Sequence, residues 1–66
     1  MNALQRIRKQ VGLSQSQLAE LSGVSLRMIQ KYETGDRDIN NASAITVYKL
    51  AQSLKVNVED LLSTKI

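Results

Sequence analysis

The chain has 66 residues, nine Lys and Arg against six Asp and Glu, and a net charge of +3, which is one small domain (residues 1–66) with no room for a second core. It contains no Cys and no His, and this excludes a disulfide staple, the usual zinc ligands, a cysteine nucleophile and a histidine base. No apolar run approaches the roughly 20 residues of a membrane span, and Met-Asn-Ala-Leu-Gln-Arg does not read as a signal peptide, so a cytoplasmic protein without metal or cofactor is expected.

The absence of Pro, only three Gly, and 42 % hydrophobic residues with 3 % aromatics favour helices packed by Leu, Ile, Val and Ala. The first predicted helix covers residues 3–11, capped by Asn2 and ended by Gly12. Leu4, Ile7, Arg8 and Val11 fall along one face, with Leu4 and Val11 in the core and Arg8 on the same inner stripe. Ser14-Gln15-Ser16-Gln17 has the form of a capping box, in which Ser14 accepts from the Gln17 amide and the Gln17 side chain accepts from the Ser14 amide. A second helix over residues 15–22 follows, turning Leu18, Ala19 and Leu21 inward, and Ser22-Gly23-Val24 makes a tight turn. Ser25 caps a third helix over residues 26–34, which closes on a left-handed Gly35. Two short helices joined by such a turn form a helix-turn-helix unit.

At about 100° per residue around the third helix, Ile29, Tyr32 and Glu33 lie on or beside the inner stripe. Arg27, Gln30 and Lys31 lie outward, with Leu26 on the exposed first turn. An outward face of one amide and two cations is also what any solvated helix shows, so this face alone does not identify a partner. Residues 36–42 are polar and aperiodic and read as a loop with at most one irregular turn. A fourth helix over residues 43–54 carries Ile45, Val47, Tyr48, Leu50, Ala51 and Leu54, a broad apolar face suited to the centre of a bundle. Asn57 caps a short fifth helix over residues 58–63, with Glu59 and Asp60 in its first turn, where the helix dipole favours them.

Charge is unevenly spread. Residues 1–31 hold Arg6, Arg8, Lys9, Arg27 and Lys31 against Glu20 alone, whereas residues 32–66 hold four basic residues against five acidic ones. The basic half contains the helix-turn-helix, which suits a polyanionic partner.

Leu4, Arg8, Gly12-Leu13-Ser14-Gln15, Gln17-Leu18-Ala19, Gly23-Val24-Ser25, Ile29, Tyr32-Glu33, Gly35, Leu50-Ala51, Leu54, Val56 and Leu61-Leu62 together resemble the DNA-binding domain of phage Cro and repressor proteins and the xenobiotic-response-element regulators. The resemblance covers nearly the whole chain. It implies an all-α, compact, lambda-repressor-like five-helix bundle whose second and third helices form the helix-turn-helix, with the third in the major groove of double-stranded DNA. Carried onto this chain, the base-reading positions are Ser25, Leu26, Arg27, Gln30 and Lys31. Arg27 and Lys31 match guanine O6 and N7, Gln30 matches adenine N6 and N7, and Leu26 suits a thymine methyl; Arg27 and Lys31 are equally able to hold phosphates.

The resemblance further implies phosphate contacts from Ser14 and Gln15 at the start of the second helix. Arg37, Asn40 and Asn41 are candidates for the backbone on the other side of the groove, against which Asp36, Asp38 and a loop a few residues longer than in the short phage repressors weigh. Arg8 and Glu33 are expected to form a partly buried ion pair across the first and third helices. The function implied is transcriptional regulation, as a repressor acting as a homodimer on a pseudo-palindromic operator, with Val58, Leu62 and Ile66 as the candidate dimer interface. The alternative is a protein-binding module, an antitoxin or anti-repressor partner built on the same bundle. An enzyme is poorly supported, since no nucleophile, base and orienting group fall at a recognisable spacing.

Overall fold

The computed structural model describes residues 2–62, and these form five α-helices and one short 3₁₀ turn. The helices are α1 (Ala3–Val11), α2 (Gln15–Ser22), α3 (Leu26–Thr34), α4 (Ala44–Leu54) and α5 (Val58–Leu61), and the 3₁₀ turn is Ile39–Asn41. No strand occurs among the described residues. The fold is an all-α bundle with a helix-turn-helix made by α2 and α3.

Local chemistry sets the helix ends. Asn2 Oδ1 accepts from the Gln5 amide at 2.9 Å, Ser25 Oγ from the Met28 amide at 3.2 Å and Ser43 Oγ from the Thr46 amide at 3.3 Å, each satisfying a first-turn N–H that has no helical partner. Ahead of α2 the bond is reciprocal: Gln17 N–H donates to Ser14 Oγ at 3.0 Å and Ser14 N–H donates to Gln17 Oε1 at 2.8 Å. Before α5 the Asn57 amide donates to Asp60 Oδ2 at 3.0 Å. Gly23, with φ 74°, lets the chain leave α2 in the left-handed region and turn within three residues into α3. A Cβ placed there would meet nothing within 4 Å, so the backbone angle and not crowding makes Gly the suitable residue. Ser22 Oγ then accepts from the Val24 amide at 3.1 Å, fixing the turn from inside.

α2 packs against α3 and α4, α4 packs against α5, and α1 lies across α3, α4 and α5. Their shared core is Leu4, Ile7, Leu18, Val24, Ile29, Tyr32, Ile39, Val47, Leu50, Ala51, Leu54 and Leu61. Ile39, in the polar segment expected to be a loop with at most one irregular turn, is part of it and pins the 3₁₀ turn to the bundle.

Four residues expected on inner faces are exposed instead. Val11 is 48 % exposed because it is the last residue of α1; the chain turns at Gly12, and Leu13 packs against the core in its place. Leu21 is 64 % exposed. The buried stripe of α2 runs through Leu18 and Ser22, and Leu21 lies about 100° from Ser22 at the helical repeat. On α4 the inner stripe is Val47, Leu50, Ala51 and Leu54, so Ile45 and Tyr48 fall outside it, 59 % and 49 % exposed. The fourth helix therefore has a narrower buried face than its apolar composition suggests. Its first helical residue is Ala44, with Ser43 as the cap; α5 ends at Leu61 with Leu62 extended as its cap, short of the expected helix over residues 58–63, and Ser63 lies outside the described residues.

Candidate nucleic-acid interface

α3 divides cleanly between two environments. Ile29, Tyr32 and Glu33 are buried, whereas Leu26, Arg27 and Gln30 are exposed and Lys31 and Met28 are half-buried. The exposed side begins at Ser25, whose hydroxyl oxygen is taken up by the Met28 amide while the residue itself stays exposed. Ser25, Leu26, Arg27, Gln30 and Lys31 thus occupy the N-terminal two turns of one helix, on the side away from the core.

The buried side of the same helix is tied down by charge. Arg8 Nε donates to Glu33 Oε2 at 2.6 Å and Arg8 Nη2 donates to Glu33 Oε1 at 2.9 Å, a two-pronged pair between α1 and α3 with both residues buried. Arg8 Nη1 donates to the Leu13 carbonyl at 2.8 Å, so the same guanidinium also holds the turn between α1 and α2. The hydrogen bond to Glu33 raises the Arg8 pKa above its ordinary value, opposed by desolvation and helped by the charge of the carboxylate. Glu33 Oε1 takes a third donor, Gln15 Nε2, at 2.9 Å. Asn2 Nδ2 donates to the Tyr32 carbonyl, joining the start of α1 to the last turn of α3. No buried polar side-chain atom among the described residues lacks a partner.

The remaining candidate residues are only partly gathered together. Ser14 is exposed ahead of α2 and Gln15 half-buried at its first position, next to the last turn of α3 through Glu33. Beyond α3, the Arg37 amide donates to the Lys31 carbonyl at 3.1 Å, which holds the backbone at Arg37 against the last turn of α3. Arg37 and Asn41 border one recess of about 320 Å³ together with Met28 of α3. Asn40 borders a different groove, of about 440 Å³, lined by Ile39, Val47, Tyr48, Val58 and Leu62. Val58 and Leu62 pack partly against the core and partly line that groove, and Ile66 lies outside the described residues.

Sequence reasoning missed two of these links. The bond from Gln15 to Glu33 had a signal, because Gln15 lies about 60° from Leu18 on the side of Ser22 and therefore borders the inner stripe of α2. The bond from Asn2 to Tyr32 had none: a capping Asn uses its oxygen locally and its amide nitrogen is left to tertiary structure.

No helix among the described residues is long and apolar enough to cross a membrane, and no group of three or more Asp and Glu there is placed to hold a metal ion. A protein-family model described as Helix-turn-helix matches residues 4–61. No curated protein matches the chain.

Proposed function

From a chain that belongs to the helix-turn-helix family of DNA-binding transcription regulators, we infer a sequence-specific repressor that binds double-stranded DNA with α3 in the major groove. The observation that carries this reading is the division of α3, with Ile29, Tyr32 and Glu33 fixed in the bundle while Leu26, Arg27, Gln30 and part of Lys31 are left free at its surface. A helix held so firmly on one side presents the other at a constant angle. Ser25, Leu26, Arg27, Gln30 and Lys31 read base edges, and each good two-pronged contact discriminates by about 1 to 3 kcal/mol. Ser14 and Gln15 hold a phosphate at the start of α2, helped by the unpaired first-turn amides, and Arg37 with Asn41 holds the backbone past the end of α3. Asn40, which borders the neighbouring groove, is a further candidate for the backbone on that side.

Specific binding by so small a module calls for two copies on half-sites about 34 Å apart. The groove lined by Ile39, Tyr48, Val58 and Leu62 supports a homodimer, since it is apolar and Tyr48 beside it is half exposed. Tyr48→Glu is expected to leave the melting temperature nearly unchanged, abolish cooperative binding to a two-half-site operator and keep the weak binding to one half-site. Cooperative binding retained in a gel-shift titration would remove this face from the interface.

Selection of bound sites from random duplex DNA, followed by a salt titration on the recovered site, tests the main reading. A symmetric motif is expected, with affinity falling by a log-log slope of about −0.9 for each phosphate neutralised. A flat salt response with no enriched motif would instead favour a protein-binding module.

A further inference from the structure

The carboxylate of Glu33 does more than pair with Arg8. Oε2 receives Arg8 Nε, while Oε1 receives both Arg8 Nη2 and Gln15 Nε2, each at 2.9 Å. An ionised carboxylate only accepts, so the Gln15 amide has to turn its NH₂ toward Glu33. One of its two N–H bonds is then committed. The second is left over on the first residue of α2, where main-chain N–H groups of the first helical turn have no helical acceptor.

Each neighbour of this contact is itself fixed. Arg8 is joined to the Leu13 carbonyl at 2.8 Å, so hydrogen bonds run from Leu13 through Arg8 and Glu33 to Gln15, and the backbone of residues 13–15 closes the loop at the turn between α1 and α2. Arg8 also offsets the carboxylate charge that would otherwise repel a phosphate nearby. A neutral amide suits this position: a Lys at residue 15 would be drawn into an ion pair with Glu33, whereas an amide with two N–H bonds can serve a carboxylate and a phosphate together.

We propose that Glu33 is a positioning residue for the phosphate grip at the start of α2, orienting Gln15 through Oε1 before DNA arrives and registering that grip against the base-reading side chains of α3. The register follows from the chain: Gln30 and Lys31 precede Glu33 by three and two residues on the same short helix. A phosphate held by Gln15 therefore stands at a fixed offset from the bases those residues read. This role rests on the DNA-reading function proposed above.

The test is a double-mutant cycle on affinity for the selected DNA site, using Glu33→Gln and Gln15→Met at a temperature where circular dichroism finds every variant folded. In Glu33→Gln the single amide oxygen goes to the Arg8 cation, releasing Gln15; Gln15→Met keeps the stem and deletes the amide. Glu33→Gln is expected to weaken binding about tenfold beside Gln15 and less than about threefold beside Met, a coupling within the range for groups in contact. Equal weakening in both backgrounds, or none, overturns the proposal, since a purely structural Glu33 would not depend on residue 15. A second measurement needs no variant. ¹⁵N relaxation of the side-chain amides in the free protein is expected to give Gln15 an order parameter near that of rigid backbone, about 0.85, and Gln30 one below about 0.6. A Gln15 amide as mobile as that of Gln30 also overturns it. Failure of the wild-type chain to bind any duplex at low salt would overturn this role together with the DNA-reading function, whereas tight binding with an additive cycle overturns this role alone.

Discussion

The segment from α1 to α3 and the segment from α4 to α5 are held together by different physics. In the first, the buried residues include Arg8, Ser22 and Glu33, and hydrogen bonds from Asn2, Arg8 and Gln15 cross between elements. In the second, Val47, Leu50, Ala51, Leu54 and Leu61 are buried with no charged side chain among them. Apolar burial is non-directional and sums over area, so it decides that elements pack but only loosely at what angle. Hydrogen bonds are directional, and a two-pronged guanidinium-carboxylate pair constrains both distance and plane. The half that carries α3 is the half in which angle is specified; the other supplies bulk and an apolar outer face.

The largest effect is expected from breaking the pair. Glu33→Ala leaves Arg8 buried without its carboxylate and should cost about 3 to 5 kcal/mol. For a domain whose whole stability is of order 0.05 to 0.15 kcal/mol per residue, that is enough to leave much of the chain unfolded at 37 °C. The double variant Arg8→Met with Glu33→Leu sharpens the contrast. Removing both charges should recover most of the melting temperature, because an apolar pair of similar volume is often as stable as a buried ion pair, while DNA affinity remains low because the angle of α3 and the hold on Gln15 are gone. Recovery of affinity along with stability would mean that packing alone aims the helix. A Glu33→Ala melt matching the wild type would mean that the pair contributes nothing to stability.

Leu50→Ala probes the other half. Leu50 is fully buried on α4, and its truncation should cost about 2 to 5 kcal/mol. Binding per folded molecule, measured at a temperature where both proteins are folded, should be unchanged. A drop in affinity beyond the loss of folded protein would show that α4 also sets the angle of α3, and the division between the halves would fail.

Arg27→Ala should act on neither scaffold. Arg27 is exposed, so the melt should move by less than about 0.5 kcal/mol, while site selection should lose preference at one base position by about 1 to 3 kcal/mol. An unchanged selected motif would remove Arg27 from the reading face.

The same division explains what could be read from the amino-acid sequence. The first three helices were legible because Asn2, Ser14 and Ser25 sit at cap positions and Gly12, Gly23 and Gly35 follow helix ends, whereas the fourth was read from its apolar residues and the fifth from the Asn57 cap. The inner faces were legible where polar residues bound them, as on α3, and misjudged where apolar residues are in excess. Leu21, Ile45 and Tyr48 are apolar yet exposed, because composition cannot say which of several apolar residues faces a neighbour. Ile39 was hidden in a polar segment for the opposite reason. At the candidate interface the outward face of α3 followed from periodicity, but the bond from Gln15 to Glu33 joins residues 18 apart and depends on how two helices cross.

The smallest effect concerns a helix end that the sequence does not mark. α4 closes on Lys55, whose φ of 59° and ψ of 41° are left-handed, and its N–H donates to the carbonyls of Ala51 and Gln52 as a capping Gly would. An L residue there costs about 1 to 2 kcal/mol, and Gly would remove that cost while adding about 0.4 to 1 kcal/mol of unfolded-chain entropy. Lys55 is exposed, so little packing is lost, though a cation near the C-terminus of α4 contributes about 0.3 to 1 kcal/mol that Gly forfeits. The balance favours Lys55→Gly by about 0.2 kcal/mol, a rise in melting temperature of about 1 to 2 °C in a domain of this size. High salt screens the cation and should enlarge the rise. Because Lys55 lies in the half assigned to bulk, the salt slope of DNA binding should not change. A slope reduced by about one phosphate would make Lys55 a backbone contact and carry the binding surface across the boundary between the two halves.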